Sequence, residues 1–246
     1  RHFDYPVLHQ GYHTFPVTLQ MGCDYKQFDP TDKYVIKVLK AMKSMFTDDE
    51  HDAFDYLMRS SCLALDLSVH DTTYDFCYGG GSNGKSSYTG MMAKVFGEYY
   101  ADMSVALITY GLNRKQAGQA SPELLKLENK RFVLVAEANN ITLDDNLLKK
   151  ITSNENLEGR ALHSNYDRSF SVKAKVSITQ NQIPNERTDD EESRRRKMVI
   201  PFTRGFKKAG VKLTDPNHVR ADPTILSYCE DDNYRTAFLS ILTFYY

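Results

Sequence analysis

The stretch Gly79-Gly80-Gly81-Ser82-Asn83-Gly84-Lys85-Ser86 fits the pattern G-x-x-x-x-G-K-[ST] and constrains the fold more than any other part of the chain. Glycines let such a loop take positive φ and turn successive N–H groups toward one point. Those donors, with the positive end of a following helix, suit the β- and γ-phosphates of a nucleotide. In this pattern Lys85 adds a point charge on the phosphates and the Ser86 hydroxyl is a Mg²⁺ ligand, with Ser87 closing the loop. The same letters also fit a plain glycine-rich turn before a helix, so the flanks matter. Tyr74-Asp75-Phe76-Cys77-Tyr78, bounded by Asp71-Thr72-Thr73, reads as a strand. Residues 85–96 read as a helix stopped by Gly97. Strand, loop and helix in that order point to an α/β fold of the phosphate-loop NTPase type, with a mostly parallel central sheet and helices on both faces.

The rest of the chain is read around that unit. Residues 1–66 are expected to form an extended segment and a small helical collar, and residues 67–246 the NTPase domain. Residues 34–46 carry apolar side chains at helical spacing, and Thr47-Asp48-Asp49-Glu50 is a capping box that should start a second helix running to about Leu65. Ser121-Pro122-Glu123 reads as the start of a short helix to Leu127. Arg131-Phe132-Val133-Leu134-Val135-Ala136-Glu137 reads as a strand apolar on both faces that ends in a carboxylate. Beside a phosphate loop such an acid meets Mg²⁺ or the attacking water, though a solvated carboxylate at a strand end is also common. Residues 142–152 read as a helix capped by Thr142.

A turn-rich stretch follows at 153–168, with Arg160, His163, Asn165, Tyr166 and Arg168. Cations interleaved with stacking groups make it the best local candidate for nucleic-acid contact, and an ordinary solvated hairpin fits as well. Residues 174–180 read as a further strand, after which Asn181 could orient the attacking water or serve simply as a turn asparagine. The block Asp189-Asp190-Glu191-Glu192-Ser193-Arg194-Arg195-Arg196-Lys197 reads as a charged loop entering a short strand, and an arginine held there could act in a neighbouring subunit's site. Residues 206–222 read as a loop and 234–245 as a terminal helix.

Bulk properties exclude several classes. The formal net charge is −1, so any nucleic-acid contact is local. The four cysteines, Cys23, Cys62, Cys77 and Cys229, are scattered with no C-x-x-C, which argues against a zinc site and fits a reducing compartment. No apolar run approaches the ~18 residues of a membrane span, and no signal-like amino terminus is seen. A start at Arg1 and an end inside an apolar stretch read as a piece of a longer polypeptide.

The ordered set Gly79–Ser87, Val135-Ala136-Glu137, the 151–163 stretch, Thr179-Gln180-Asn181-Gln182-Ile183-Pro184 and Arg194–Phe202 resembles the superfamily 3 helicases, most closely the poxvirus-type primase-helicases of large DNA viruses, some phages and plasmids. The resemblance covers about residues 34–246. It implies an AAA+-like ring, usually a homo-hexamer, that hydrolyses ATP with Mg²⁺ at subunit interfaces and moves on single-stranded DNA. It also implies a possible fused or associated primase domain, no membrane, and an intracellular place, in the cytoplasm or at a site of viral DNA replication. Carried over, Lys85 and Ser86 hold phosphate and Mg²⁺, Glu137 is the acidic motif and Asn181 the polar sensor. Arg195 is the best match to the arginine finger, with Arg194 and Arg196 as alternatives, and the hairpin near His163 contacts DNA. The chain departs from the family at Thr152-Ser153-Asn154-Glu155, which lacks the usual glycines, and at Ala136, where many ATPases carry an aspartate. A nucleotide-gated DNA-binding or loading ATPase without unwinding activity is the alternative. A small-molecule kinase would leave Asn181 and the arginine block without a role.

Overall fold

The computed structural model describes residues 18–66, 68, 71–112, 121–136, 141–164, 166–182, 185–186 and 190–246. Helix α1 (Lys33–Lys43) starts where the Asp32 carboxylate accepts the Tyr34 and Val35 amides. It ends earlier than its apolar spacing suggested, and Met45 and Phe46 are buried just beyond it. The capping box forms as expected, with Thr47 N donating to Glu50 Oε2 at 2.9 Å. It opens a 3₁₀ turn that leads into α2 (His51–Cys62). Strand β1 (Tyr74–Tyr78) runs into the glycine loop, then α3 (Lys85–Phe96), which stops at Gly97 with φ 51°.

Next come β2 (Tyr100–Asp102), the short α4 (Pro122–Leu125), β3 (Phe132–Ala136) and β4 (Thr142–Leu143). Helix α5 covers Asn146–Thr152 and does not begin at Thr142 as expected. The backbone around Thr142 is already bonded elsewhere: Tyr110 N donates to Thr142 O and Asp144 N to Ile108 O, both at 2.8 Å. A helix start there would break those bonds. Strands β5 (Asn156–Gly159) and β6 (Arg168–Ser171) form an antiparallel hairpin. They are followed by β7 (Lys175–Gln180) and β8 (Asn185–Glu186).

The charged block is not a loop. Residues Glu191–Arg196 form α6, because Asp190 caps it by accepting Ser193 N at 2.7 Å, and its acids and arginines are placed to suit the helix dipole. Strand β9 (Lys197–Pro201) follows, then β10 (Gly205–Lys207) and β11 (His218–Arg220), a parallel pair inside the stretch read as a loop. A 3₁₀ turn at Pro223–Glu230 leads to α7 (Asp232–Tyr245).

The central sheet has five strands in the order β2-β3-β7-β1-β9, all parallel. Its two faces bury different sets, as strand alternation requires. On one face Cys77, Phe132, Leu134 and Ile200 pack with α1, α2, α3 and α7 in a single cluster. On the other, Phe76, Val133, Val135, Val176 and Ile178 pack with Leu148 and Ile151 of α5 and with Leu157 and Phe170 of the hairpin. Each such fully buried aliphatic side chain contributes about 1.5–3 kcal/mol of transfer free energy.

Below the sheet, at the start of β1 and β7, lies a buried ionic cluster. Lys175 Nζ reaches Asp71 at 2.6 Å and Asp75 at 3.1 Å, and Ser60 Oγ of α2 donates to Asp75 at 2.6 Å. Burial raises the pKa of Asp75, whereas for Asp71 the Lys175 charge and hydrogen bond outweigh burial and lower it. Lys175 is held above its ordinary value by the two carboxylates despite its own burial. No helix among the described residues is long and apolar enough to cross a membrane.

Candidate active site

The loop between β1 and α3 is built by contacts that its neighbours supply. Gly79 N donates to Gln180 O at 3.3 Å, tying the loop's first residue to the end of β7. Phe202 N donates to Tyr78 O at 2.8 Å and Phe206 N to Ser82 O at 2.7 Å, so the chain beyond β9 braces the other side. Gly79 is required by packing: a Cβ there would lie 2.2 Å from Phe202 O. Gly84 is required by conformation, with φ 94°, and by Met45 Cγ, 2.6 Å from where a Cβ would sit. Gly80 and Gly81 are different. A Cβ on either would meet no protein atom within 4 Å, so nothing in the fold itself requires them to be glycine. Bare backbone at an exposed tip suits close approach by a ligand.

Lys85 opens α3 and is buried, with 7% of its surface exposed. Its ammonium donates to Gly79 O at 2.6 Å and to Asn83 Oδ1 at 3.0 Å. Both partners are neutral, and burial lowers the pKa of the ammonium. A positive charge held among neutral oxygens, at the mouth of a helix, favours a phosphate close by. The Asn83 side-chain amide donates to Phe202 O at 2.9 Å, so one buried residue links the lysine to β9. Ser86 is exposed in the first turn of α3 and Ser87 is partly exposed, its amide bonded to Gly84 O at 3.0 Å. The bare glycine tip, the buried Lys85 ammonium and the exposed Ser86 fit a nucleotide phosphate with Mg²⁺.

The other expected site residues fall into three places. Asn181 is exposed and follows Gln180, the register partner of Tyr78, so it lies at the edge of the loop. Glu137 lies outside the described residues. The strand that leads to it, β3, ends at Ala136 in register with Thr179 of β7. Arg195 is remote. Lys197, two residues on, pairs with Tyr74 at the start of β1, while the loop leaves its other end after Tyr78. The intervening strand makes that separation about 15 Å. Arg195 is exposed on α6, whereas Arg196 is buried, donating to Thr152 Oγ1 and to Glu192 Oε1, each at 2.9 Å. The Arg196 guanidinium therefore fastens α6 to the end of α5.

The hairpin loop carries the remaining group. His163 sits at φ 62° at the tip, and Tyr166 is 83% exposed with Leu162 nearby at 65%. The Arg160 backbone is anchored, its amide donating to Ser121 Oγ at 3.0 Å. Arg168 pairs with Glu128 at 2.9 Å while staying largely exposed. Asn165 lies outside the described residues.

Two residues escaped the sequence reading. Gln180 is buried at the tip of β7 with its Oε1 unpaired among the described atoms, and Phe202 supplies the carbonyl that Asn83 and Gly79 crowd against. A polar residue ending an apolar strand was the available signal for Gln180. Nothing local marks Phe202.

No family model matches the chain. Curated relatives do. A "Putative helicase" of Acanthamoeba polyphaga mimivirus is 24% identical over 243 residues, covering 94% of this chain and 24% of the relative. A "Putative helicase" of Invertebrate iridescent virus 6 is 27% identical over 208 residues, covering 82% of this chain and 21% of that one. A "Putative primase" of African swine fever virus is 24% identical over 244 residues, covering 96% and 24%. The chain thus spans about a quarter of the length of these relatives. Among solved structures, the apo C-terminal region of NrS-1 superposes with a TM-score of 0.60 at 17% identity, over 90% of this chain and 48% of that one, which shows the fold. In sequence the chain is similar to putative helicases and putative primases of large DNA viruses, and in fold to the C-terminal region of NrS-1.

Proposed function

We propose that this chain is the ATP-hydrolysing motor segment of a viral-type DNA replication helicase, assembled as a ring and moving on single-stranded DNA. The observation that carries the reading is the Lys85 ammonium, buried in a glycine loop with neutral oxygens as its hydrogen-bond partners among the described residues. The loop amides and Lys85 hold the β- and γ-phosphates of ATP. Ser86 and Glu137 hold Mg²⁺, which supplies neutralisation of charge on the transferring phosphoryl group. Glu137 also takes the proton of the attacking water, and Asn181, at the loop's edge, orients that water.

Arg195 acts on a neighbour. It precedes β9 at the end of the sheet opposite its own loop, with the length of β1, about 15 Å, between that end and the loop, and its exposure on a tethered helix suits contact with a second subunit. The hairpin tip, with His163, Asn165 and Tyr166 flanked by Arg160 and Arg168, meets the DNA strand by stacking and charge. The relatives' names support a replication role, and their greater length leaves room for an associated primase segment.

The test is Mg²⁺-dependent ATP hydrolysis as a function of protein concentration, with and without single-stranded DNA. A specific rate that rises with both is the expected outcome. A flat, DNA-insensitive rate would overturn the ring-motor reading in favour of a self-contained ATPase. Strand displacement on a forked duplex separates the motor from a loading ATPase that binds DNA without unwinding it.

A further inference from the structure

Helix α1 buries Val35, Val38, Ala41 and Met42 and turns a row of lysines outward: Lys33, Lys37, Lys40 and Lys43. Their spacing puts them on one side of the helix over about 15 Å. Two adjoining clefts, of about 490 and 250 Å³, run beside this row and share Lys40, Ser44 and Arg204. The facing wall comes from β11 and from the chain around the 3₁₀ turn, with Phe206 and Tyr228 forming an aromatic floor and Arg220 at the rim.

The cations here are positioned but not neutralised. Lys37 Nζ donates to the Tyr234 hydroxyl at 3.4 Å, and Arg204 Nη2 to Phe46 O at 2.9 Å. Arg220 Nη1 donates to Lys208 O at 3.0 Å and also to Val211 O. Lys43 lies 5.7 Å over the Phe54 ring, and Lys40 has no hydrogen-bond or ion-pair partner among the described residues. Two carboxylates line the clefts, against the six cations Lys33, Lys37, Lys40, Lys43, Arg204 and Arg220, so they offset only part of this charge. Asp222 accepts Thr224 Oγ1 at 2.6 Å and Thr224 N at 2.9 Å, both through Oδ1, and these bonds, with the Lys40 charge nearby, hold its carboxyl below the usual range. Asp48 stands 3.9 Å from Arg204 and is wholly exposed. Like charges three and four residues apart on a helix are mutually destabilising. In a chain of net charge −1, concentrating them on one face calls for an anion.

We propose that this face of α1 and its clefts form a second nucleic-acid surface, separate from the β5–β6 hairpin, which grips the phosphodiester backbone of a strand. The length of the row, about 15 Å, favours a strand, whose phosphates repeat along it, over a mononucleotide, whose phosphates sit at one end. The aromatic floor gives a base a surface to lie on. The surface also touches the phosphate loop, through Phe206 N to Ser82 O and through Met45 beside Gly84. The rival occupant is therefore the base of a nucleotide bound at the loop.

The test needs no hydrolysis and so stands apart from the motor reading. A fluorescent oligo-dT of roughly 20 nucleotides is titrated with the chain over a salt series, without nucleotide. The Lys40→Gln/Arg220→Gln variant is expected to bind more weakly, with a log–log salt slope shallower by about 1.4, or 0.7 per lost contact. The variant Lys33→Gln/Lys43→Gln should do the same and serves if the first fails to fold. Lys126→Gln, at the exposed C-cap of α4, should leave the slope unchanged. An equal slope change from Lys126→Gln would overturn the proposal in favour of diffuse attraction. An unchanged slope would overturn it, and a weaker Kd for a fluorescent ATP analogue beside that unchanged slope would point to a base pocket instead.

Discussion

One amide at Asn83 holds two parts of the site together. Its oxygen accepts from Lys85 and its nitrogen reaches Phe202 O, 119 residues away in the chain. Asn83→Ala would leave the buried carbonyl without its partner, at a cost of about 1–3 kcal/mol by urea unfolding. It would also free Lys85 to move, so ATP affinity should fall with it. Gly81→Ala separates ligand approach from packing. A Cβ there meets nothing in the fold, so stability should stay within about 0.5 kcal/mol of the parent. Its nucleotide affinity should fall at least about tenfold, or ~1.4 kcal/mol, in a titration with a fluorescent ATP analogue. Unchanged affinity would mean that phosphates do not approach the tip. At this scale the sequence was only partly informative. The glycine pattern is local and therefore readable. The Asn83–Phe202 bond and the burial of Gln180 Oε1, unpaired among the described residues, depend on strands that meet only after folding.

Among the elements, the ionic cluster fastens α2 to β1 and β7, the strands that flank the loop's entry. Lys175→Met would strand two carboxylates, one fully buried, and should cost about 3–5 kcal/mol at neutral pH. The pH dependence follows from the directions of the shifts. Asp71, depressed in the fold, contributes stability above its unfolded value of about 3.9 that is lost as pH falls through its folded pKa. Asp75, raised by burial, works the other way: ionising it costs stability as pH climbs from its unfolded to its folded value. Lys175, held high, contributes stability below about 10.4 that is lost as pH rises through its folded pKa. Chemical denaturation across pH should show a loss of stability at the alkaline end that Lys175→Met lacks.

A second link joins α6 to α5 through Arg196 and Thr152, and through Lys149 and Asp190 at 3.2 Å. The hairpin begins at Asn156, just beyond α5. Thr152→Val should therefore preserve basal hydrolysis and reduce its stimulation by single-stranded DNA, in parallel assays. Strongly punctuated elements, β1 through α3 above all, were legible from glycines, caps and apolar runs. Helix α6 was not, because its charges suggested solvent, while the Asp190 cap and the sign order that make it a helix are weaker cues. The late start of α5 and the β10–β11 pair were hidden because distant backbone claims those segments.

At the scale of the whole molecule, the parallel sheet separates two functions. The loop opens at the end of β1, and α6 joins β9 at the other end, beside the start of β1. The sequence offered three adjacent arginines with nothing to rank them beyond resemblance. The burial of Arg196 sets it apart, since it is spent inside the chain, while Arg194 and Arg195 are both exposed. With the proposed finger at the end of the sheet opposite the loop, a subunit would be incomplete alone, which is why a ring with head-to-tail interfaces is proposed.

Mixing two disabled variants tests this most directly. Lys85→Ala lacks the phosphate contact but keeps its finger, and Arg195→Ala keeps the loop but lacks the finger. Each alone should hydrolyse ATP at background rate. Combined in equal amounts and allowed to exchange subunits, they should recover about a quarter of the parent rate, the share of interfaces that pair an intact loop with an intact finger. A mixture that co-assembles yet stays inactive, or an Arg195→Ala protein that is fully active alone, would contradict hydrolysis at a shared interface.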